Sequence, residues 1–301
     1  MKNLIRVMSL ILMIIFLVVG IGILLYPDFM NWRESRRHVG FIQEYNANVA
    51  LMAEAEIEYE LNRARIFNEG ITDISINDPW GEGANDISGT AEYYTLLNLG
   101  HNGVMGRIEI PVINIDLPIF HGSSSAVLDR GVGHMPHTSL PIGGYGNHSI
   151  LTAHTGMVNS RLFTDLIYLD YGERFVITVA TKRIAYEVVE RNIVLPHQIE
   201  GLQTYADRDL VTLVTCYPYG FNTHRLLVLG ERIPYYDGML DDIESIVGEI
   251  NIRHLAVIGI LAFVILISIF RWLKAKKRKN GSSENSLDQK YEKEYNEMFG
   301  D

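Results

Sequence analysis

Two long apolar runs bracket a chain whose middle part alternates. Residues 7–25 are 19 positions without a charge, enough to cross a hydrocarbon core as a helix. Residues 255–270 are 16 such positions, and Arg253, His254, Arg271 and Lys274 at their ends can snorkel to lengthen the run. Between the runs the period changes twice. Val39, Ile42, Tyr45, Val49 and Met52 recur at helical spacing, and residues 53–65 are rich in Glu, Ala and Leu, which predicts helices over 28–70. Residues 71–103 lose periodicity and fill with Gly, Asp, Asn and Ser, apart from a short stretch at 93–99, as a long functional or disordered loop does. From Gly106 the period is two: Ile108/Ile110, Ile115/Leu117/Ile119, Phe175/Ile177/Val179 and Ile184/Tyr186/Val188. Residues 210–216 and 226–229 are more continuously apolar, as strands buried on both faces are. Short strands punctuated by Gly and Pro predict a closed or sandwiched β domain of roughly 130 residues.

Charge orients this plan. The first run sits where a signal peptide would, but no Ala-x-Ala-like cleavage site follows it, so it reads as an uncleaved anchor, with a cleaved signal as the alternative. Lys2 and Arg6 precede the first run; Arg271, Lys274, Lys276, Lys277, Arg278 and Lys279 follow the second. Basic flanks stay in the cytoplasm, so both termini are expected inside and residues 28–253 outside, against the pull of Arg33, Arg36 and Arg37. Trp32 and Trp272 lie just beyond the runs, where interfacial aromatics belong. The outer part carries 16 Lys and Arg against 30 Asp and Glu, net −14, which does not suit nucleic acid. The basic, then mixed-charge tail at 274–301 is expected to be disordered. The plan is then a stub and anchor (1–27), N-terminal helices (28–70), a loop (71–103), a β domain (104–237), a juxtamembrane segment (238–253), a second span (254–273) and a tail (274–301).

One cysteine, Cys216, serves the whole chain, so it is an inert core residue or a working thiol. It ends one expected strand and Arg225 begins the next; as a hairpin the two would face each other roughly 5 Å apart at the backbone. An arginine there lowers a thiol's pKa and can bind a developing oxyanion. His154 closes another expected strand before a Gly turn and could reach the same rim, to move a proton. His148, six residues earlier, competes with it. A tyrosine-phosphatase loop needs five residues between Cys and Arg, and here there are eight. A papain-like site expects helix around the cysteine, and a strand leads into this one. No zinc-type spacing of Cys and His occurs, and no metal or cofactor is expected.

The runs TLVTC (to Cys216), NTHRLLV (around Arg225) and GHMPHTSLPIGGYGNHSILTAHTG (around His154), with two apolar spans, N-terminal helices and Asp78-Pro79-Trp80, resemble class C, pilin-polymerising sortases. Ala153 stands where the family often has glycine. The resemblance implies an all-β fold: an eight-stranded sortase-type β-barrel with N-terminal helices and a lid, flanked by two transmembrane helices. It also implies transpeptidation on a Gram-positive-type cell surface. Cys216 would cleave an LPXTG-like sorting signal between Thr and Gly through a thioacyl intermediate, His154 would be acid then base, and Arg225 would hold backbone and oxyanion. Pilin subunits with such signals and an acceptor lysine are the implied partners. In the lid, Trp80 would cover Cys216, Asp78 would pair with Arg225 and Pro79 would stiffen the approach, with Gly81 and Gly83 as hinges. The alternatives are a sortase using a cell-wall precursor as acceptor, and a non-catalytic membrane scaffold for pilus or wall assembly with an inert cysteine.

Overall fold

A computed structural model describes residues 2–71, 78, 80, 89–157, 160–241 and 243, with isolated helical positions at 259, 264, 265 and 268. The chain divides into two compact units, Met1–Val247 and Gly248–Asp301. In the second, Ser268 Oγ donates to the Val264 carbonyl at 2.8 Å, a serine bonding back within a helical turn. The rest of the expected second span, and the tail, lie outside the described residues.

Helix α1 (Lys2–Leu51) joins the expected anchor to the first part of the helical region and runs through Pro27. Among the described residues it is the one helix long and apolar enough to cross a membrane, and its most apolar window is 0% buried by protein. Of the two expected spans, the first coincides with this helix and the second lies almost wholly outside the described residues. Farther along, Ile42, Tyr45 and Val49 turn inward at helical spacing. Val39, expected with them, is 39% exposed; the buried stripe runs through Glu34 and His38 instead, about 100° round the helix. Helix α2 (Glu54–Glu69) buries Ile57, Leu61, Ala64 and Asn68. Two buried side chains fasten these helices to the rest. Tyr45 Oη donates to the Met105 carbonyl at 3.2 Å and accepts from the Ala180 N–H at 2.8 Å. The Asn68 amide donates to the Leu140 carbonyl at 3.1 Å and accepts from the Leu140 N–H at 2.7 Å.

Eight strands follow: β1 (Val104–Ile110), β2 (Ile115–His121), β3 (Val132–His134), β4 (His148–Thr152), β5 (Arg174–Val179), β6 (Lys182–Val194), β7 (Leu210–Tyr217) and β8 (His224–Ile233). A four-residue helix, α3 (Ser125–Leu128), lies between β2 and β3. The strands close a barrel in the order β1-β2-β3-β4-β7-β8-β6-β5, with β1 also paired to β5. The pairs β2–β3 and β4–β7 are parallel and the others antiparallel. Six strands fall where the apolar pattern marks them. β3, three residues long, is too short to show a period.

The continuous apolar runs of β7 and β8 have a simple cause: each face meets a different apolar layer. Val211, Leu213, Leu226 and Val228, with Leu151 of β4, belong to the main core. The alternate positions Val214, Leu227 and Ile150 form a second layer with Met135 and Ile199, and Trp80 packs on it. Because side chains alternate, Cys216 points to the same face as Val214, and Arg225 to the same face as Leu227. The residues of interest therefore lie at the end of the second layer, under Trp80.

Candidate active site

Cys216 and Arg225 are direct partners across the antiparallel β7–β8 pair, as the hairpin reading expects. His154 does not close its strand; β4 ends at Thr152, two residues before it. It is held at the end of β7 through its neighbour. The Ala153 N–H donates to the Val214 carbonyl at 3.2 Å, and Thr215 Oγ donates to the Ala153 carbonyl at 2.7 Å. Gly156 then turns the chain at φ +76°, a left-handed value that costs a glycine little, beneath the Tyr219 ring. His148, the competing histidine, is engaged elsewhere. One ring nitrogen lies 2.6 Å from the Gln203 carbonyl and the other 2.7 Å from Thr212 Oγ1, so both are engaged in the frame.

The loop before the barrel contributes Asp78 and Trp80; Pro79, Gly81 and Gly83 lie outside the described residues. Asp78 and Arg225 make a bidentate pair, Nε donating to Oδ1 at 2.7 Å and Nη2 to Oδ2 at 2.5 Å, with both side chains buried. Arg225 Nη1 also donates to the carbonyls of Asn222 and His224, each at 2.9 Å. Four of the guanidinium's five N–H groups are thus committed. Trp80 lies with its ring centroid 5.1 Å from the same guanidinium, and its Nε1–H donates to His154 Nδ1 at 3.1 Å. The contacts of Trp80 thus run to the histidine and the arginine and to the apolar layer beneath.

Electrostatics match a site at rest. Burial pushes the Cys216 thiol up to about 11; Arg225 pulls it down, and Asp78 pushes it up again. Burial lowers His154 below its ordinary 6.5, with Asp129 acting the other way. Neutral thiol and neutral imidazole are the expected forms at pH 7. Asp129 is a residue the sequence did not single out. It follows α3, 25 positions before His154, yet its Oδ1 lies 3.8 Å from His154 Nε2. Nothing in its local sequence marks it.

A thiol, an imidazole and a guanidinium at the end of one sheet face can carry out acyl transfer, with nucleophile, proton carrier and oxyanion donor all present. A sortase-domain model matches residues 108–233, which include all three. Sortase C-1 of Streptococcus pneumoniae is 39% identical with a TM-score of 0.61, over 65% of this chain and 100% of that one.

The chain belongs to the sortase family.

Other sortases agree with this placement. Sortase C1 of Streptococcus agalactiae is 38% identical with a TM-score of 0.60, over 67% of this chain and 98% of that one. Among curated relatives, Sortase A of Streptococcus agalactiae is 32% identical over 116 residues, 38% of this chain and 47% of that protein. This sortase spans 47% to 63% of the length of the curated relatives it matches. The family is one of cysteine transpeptidases, and the chain's one cysteine lies within the matched domain.

Proposed function

We propose that this sortase is a membrane-anchored, extracytoplasmic transpeptidase that joins pilin subunits, and that residues 78–80 belong to a lid over its active site. The observation that carries the reading is the double engagement of the site from one loop, Asp78 on Arg225 and Trp80 on His154. An aspartate and an indole so placed occupy two of the three reactive groups at once. The likeness to sortases C supports the assignment. A neighbouring Streptococcus pneumoniae sortase C, 35% identical, is described with pilin substrate specificity. A neighbouring sortase A of Corynebacterium diphtheriae, 32% identical, was solved as a lid mutant.

The chemistry runs in two balanced halves. Once the lid leaves, the Cys216 sulfur adds to the threonine carbonyl of an LPXTG-like signal as its own proton passes to His154. Arg225, released from Asp78, turns N–H donors toward the oxyanion. The C–N bond then breaks, and His154 returns the proton to the departing glycine amine, leaving a thioester. A lysine amine of another pilin adds to that thioester and gives a proton to His154, which hands it to the leaving thiolate. The product is an isopeptide and the free thiol is restored. The acyl bond is carried through the thioester, so no nucleotide is consumed. The second layer of Met135, Ile150, Val214 and Leu227, now under Trp80, would take the apolar residues of the signal.

The test is intact mass of the full chain in detergent after incubation with an LPXTG-type peptide. An adduct equal to the peptide minus its glycine-side fragment is expected, absent in Cys216→Ala and more abundant in Trp80→Ala. Addition of a pilin-derived lysine peptide should discharge it, whereas discharge only by a wall-precursor amine would move the reading to wall anchoring. No adduct in either lidded or unlidded protein, together with an unreactive thiol, would leave the scaffold.

A further inference from the structure

We propose that Asp129 is a positioning residue for the sortase reaction: its carboxylate faces Nε2 of His154 and favours the imidazolium formed when Nδ1, the nitrogen that takes and gives the proton, is protonated. The inference rests on the reading of His154 as the acid and base. Two neighbours from separate parts of the chain flank the ring, and one of them specifies its tautomer. Indole Nε1–H is a donor only, so the Trp80 bond at 3.1 Å requires a lone pair on Nδ1. In a neutral ring the hydrogen is then on Nε2, and Nε2 is the atom facing Asp129 Oδ1 at 3.8 Å. That spacing is too long for a hydrogen bond and suits a charge pair that closes when the ring becomes positive.

The segment bearing Asp129 is fixed from the helix side. Its N–H donates to the Ser125 carbonyl at 2.9 Å, and its own carbonyl accepts from Arg37 Nη2 of α1 at 3.4 Å. The next residue, Arg130, lays its guanidinium over the rings of Phe41 and Phe120, 4.9 and 4.5 Å from their centroids. These contacts use backbone and a neighbour, so an asparagine at 129 would keep them. What it would lose is the charge.

The need for that charge appears when the lid leaves. Among the described residues, the charged and titratable groups around the site are Asp129 from the end of α3, Cys216 of β7, Arg225 of β8 and Asp78 of the lid loop. With the lid closed, Asp78 neutralises Arg225. With it gone, an unpaired guanidinium stands in the same site and disfavours an imidazolium. Asp129 opposes it from the far edge of the ring, and the departure of the indole frees Nδ1 to accept a proton. Because Asp129 is 60% exposed, water weakens its pull, and it adjusts the histidine rather than dictating its charge.

The experiment compares wild type, Asp129→Asn, Asp129→Glu and His154→Ala as full chains in detergent. Peptide turnover is followed against pH, and the His154 ring is read by long-range ¹H–¹⁵N spectra. Wild type should show the Nε2–H tautomer. Asp129→Asn should lower kcat/KM at neutral pH by roughly three- to tenfold with little change in KM, and move the imidazole limb of the profile to lower pH. Asp129→Glu should restore part of the loss. An active wild type whose profile is unchanged in Asp129→Asn overturns the proposal, as does an Nδ1–H tautomer. If wild type turns over no peptide, the transpeptidase reading fails, and the ring titration alone decides: a lower His154 midpoint in Asp129→Asn upholds the contact, an equal midpoint removes it.

Discussion

Single residues in this site are protonated for rest. With burial pushing the thiol up to about 11, Cys216 is neutral at pH 7, and the arginine that could stabilise a thiolate is tied to Asp78. Both influences that hold the thiol up, burial and Asp78, belong at least in part to the covered state, whereas Arg225 would remain after uncovering. Trp80→Ala should therefore raise the rate of Cys216 alkylation about tenfold or more while the thermal midpoint stays within a few degrees. An unchanged rate would remove Trp80 from the lid. The two shifts also set a pH window. Cys216 is raised from 9.0, so its contribution to the covered state is complete below that value and is lost as pH rises through about 11. His154 is lowered from 6.5, so its contribution is present above 6.5 and is lost as pH falls through the lower value. The cover should be tightest between those limits. The emission difference between wild type and Trp80→Phe reports it: a blue-shifted Trp80 signal inside the window and a red-shifted one at both extremes. A pH-independent difference would break the linkage.

Among the elements, the helices brace the barrel, the loop carrying Asp78 and Trp80 is the proposed lid, and mutation should separate the two roles. Asn68 of α2 satisfies both backbone groups of Leu140 in a buried setting. Asn68→Ala leaves both unpaired and should cost about 1–3 kcal/mol in chemical denaturation without altering thiol reactivity. Asp78→Asn should do the reverse. Removing one partner of a buried pair ordinarily costs several kcal/mol, because the other charge stays buried. Here the loss falls on a loop whose removal lets water reach Arg225, so the expected effect is faster alkylation with little change in unfolding. A large fall in stability with unaltered alkylation would mean that the Asp78–Arg225 pair braces the fold instead.

At the scale of the whole molecule, one apolar helix continues directly into the helix that carries Tyr45. The barrel is thereby joined to the membrane-length segment by continuous helix, through contacts of Tyr45 with Met105 and Ala180. Tyr45→Phe removes the hydroxyl that serves the start of β1 and the turn between β5 and β6, and should lower stability by about 1–3 kcal/mol, measured on the full chain. An unchanged midpoint would show that α1 is fastened by its apolar stripe alone.

What this chain makes plain in its sequence is what local spacing can encode. A charge-free run long enough for a membrane, the period-two strands, and a cysteine and arginine flanking one hairpin all depend on neighbours along the chain. The opposition of Cys216 and Arg225 follows from hairpin register and needs no distant contact. Other features required the closed barrel. The parallel β4–β7 pairing, which brings the His154 turn beside Cys216, joins strands about 60 residues apart, and no periodicity reports it. The resemblance named His154, but the reason His148 does not compete, two partners already engaging its ring, came only from the fold. Val39 is exposed while Glu34 and His38 are buried because the stripe on α1 is defined by the strands it meets, not by the helix. Asp129 reaches the histidine only because α3 folds between β2 and β3. Its charge has no local use, so only the assembled fold could assign it one.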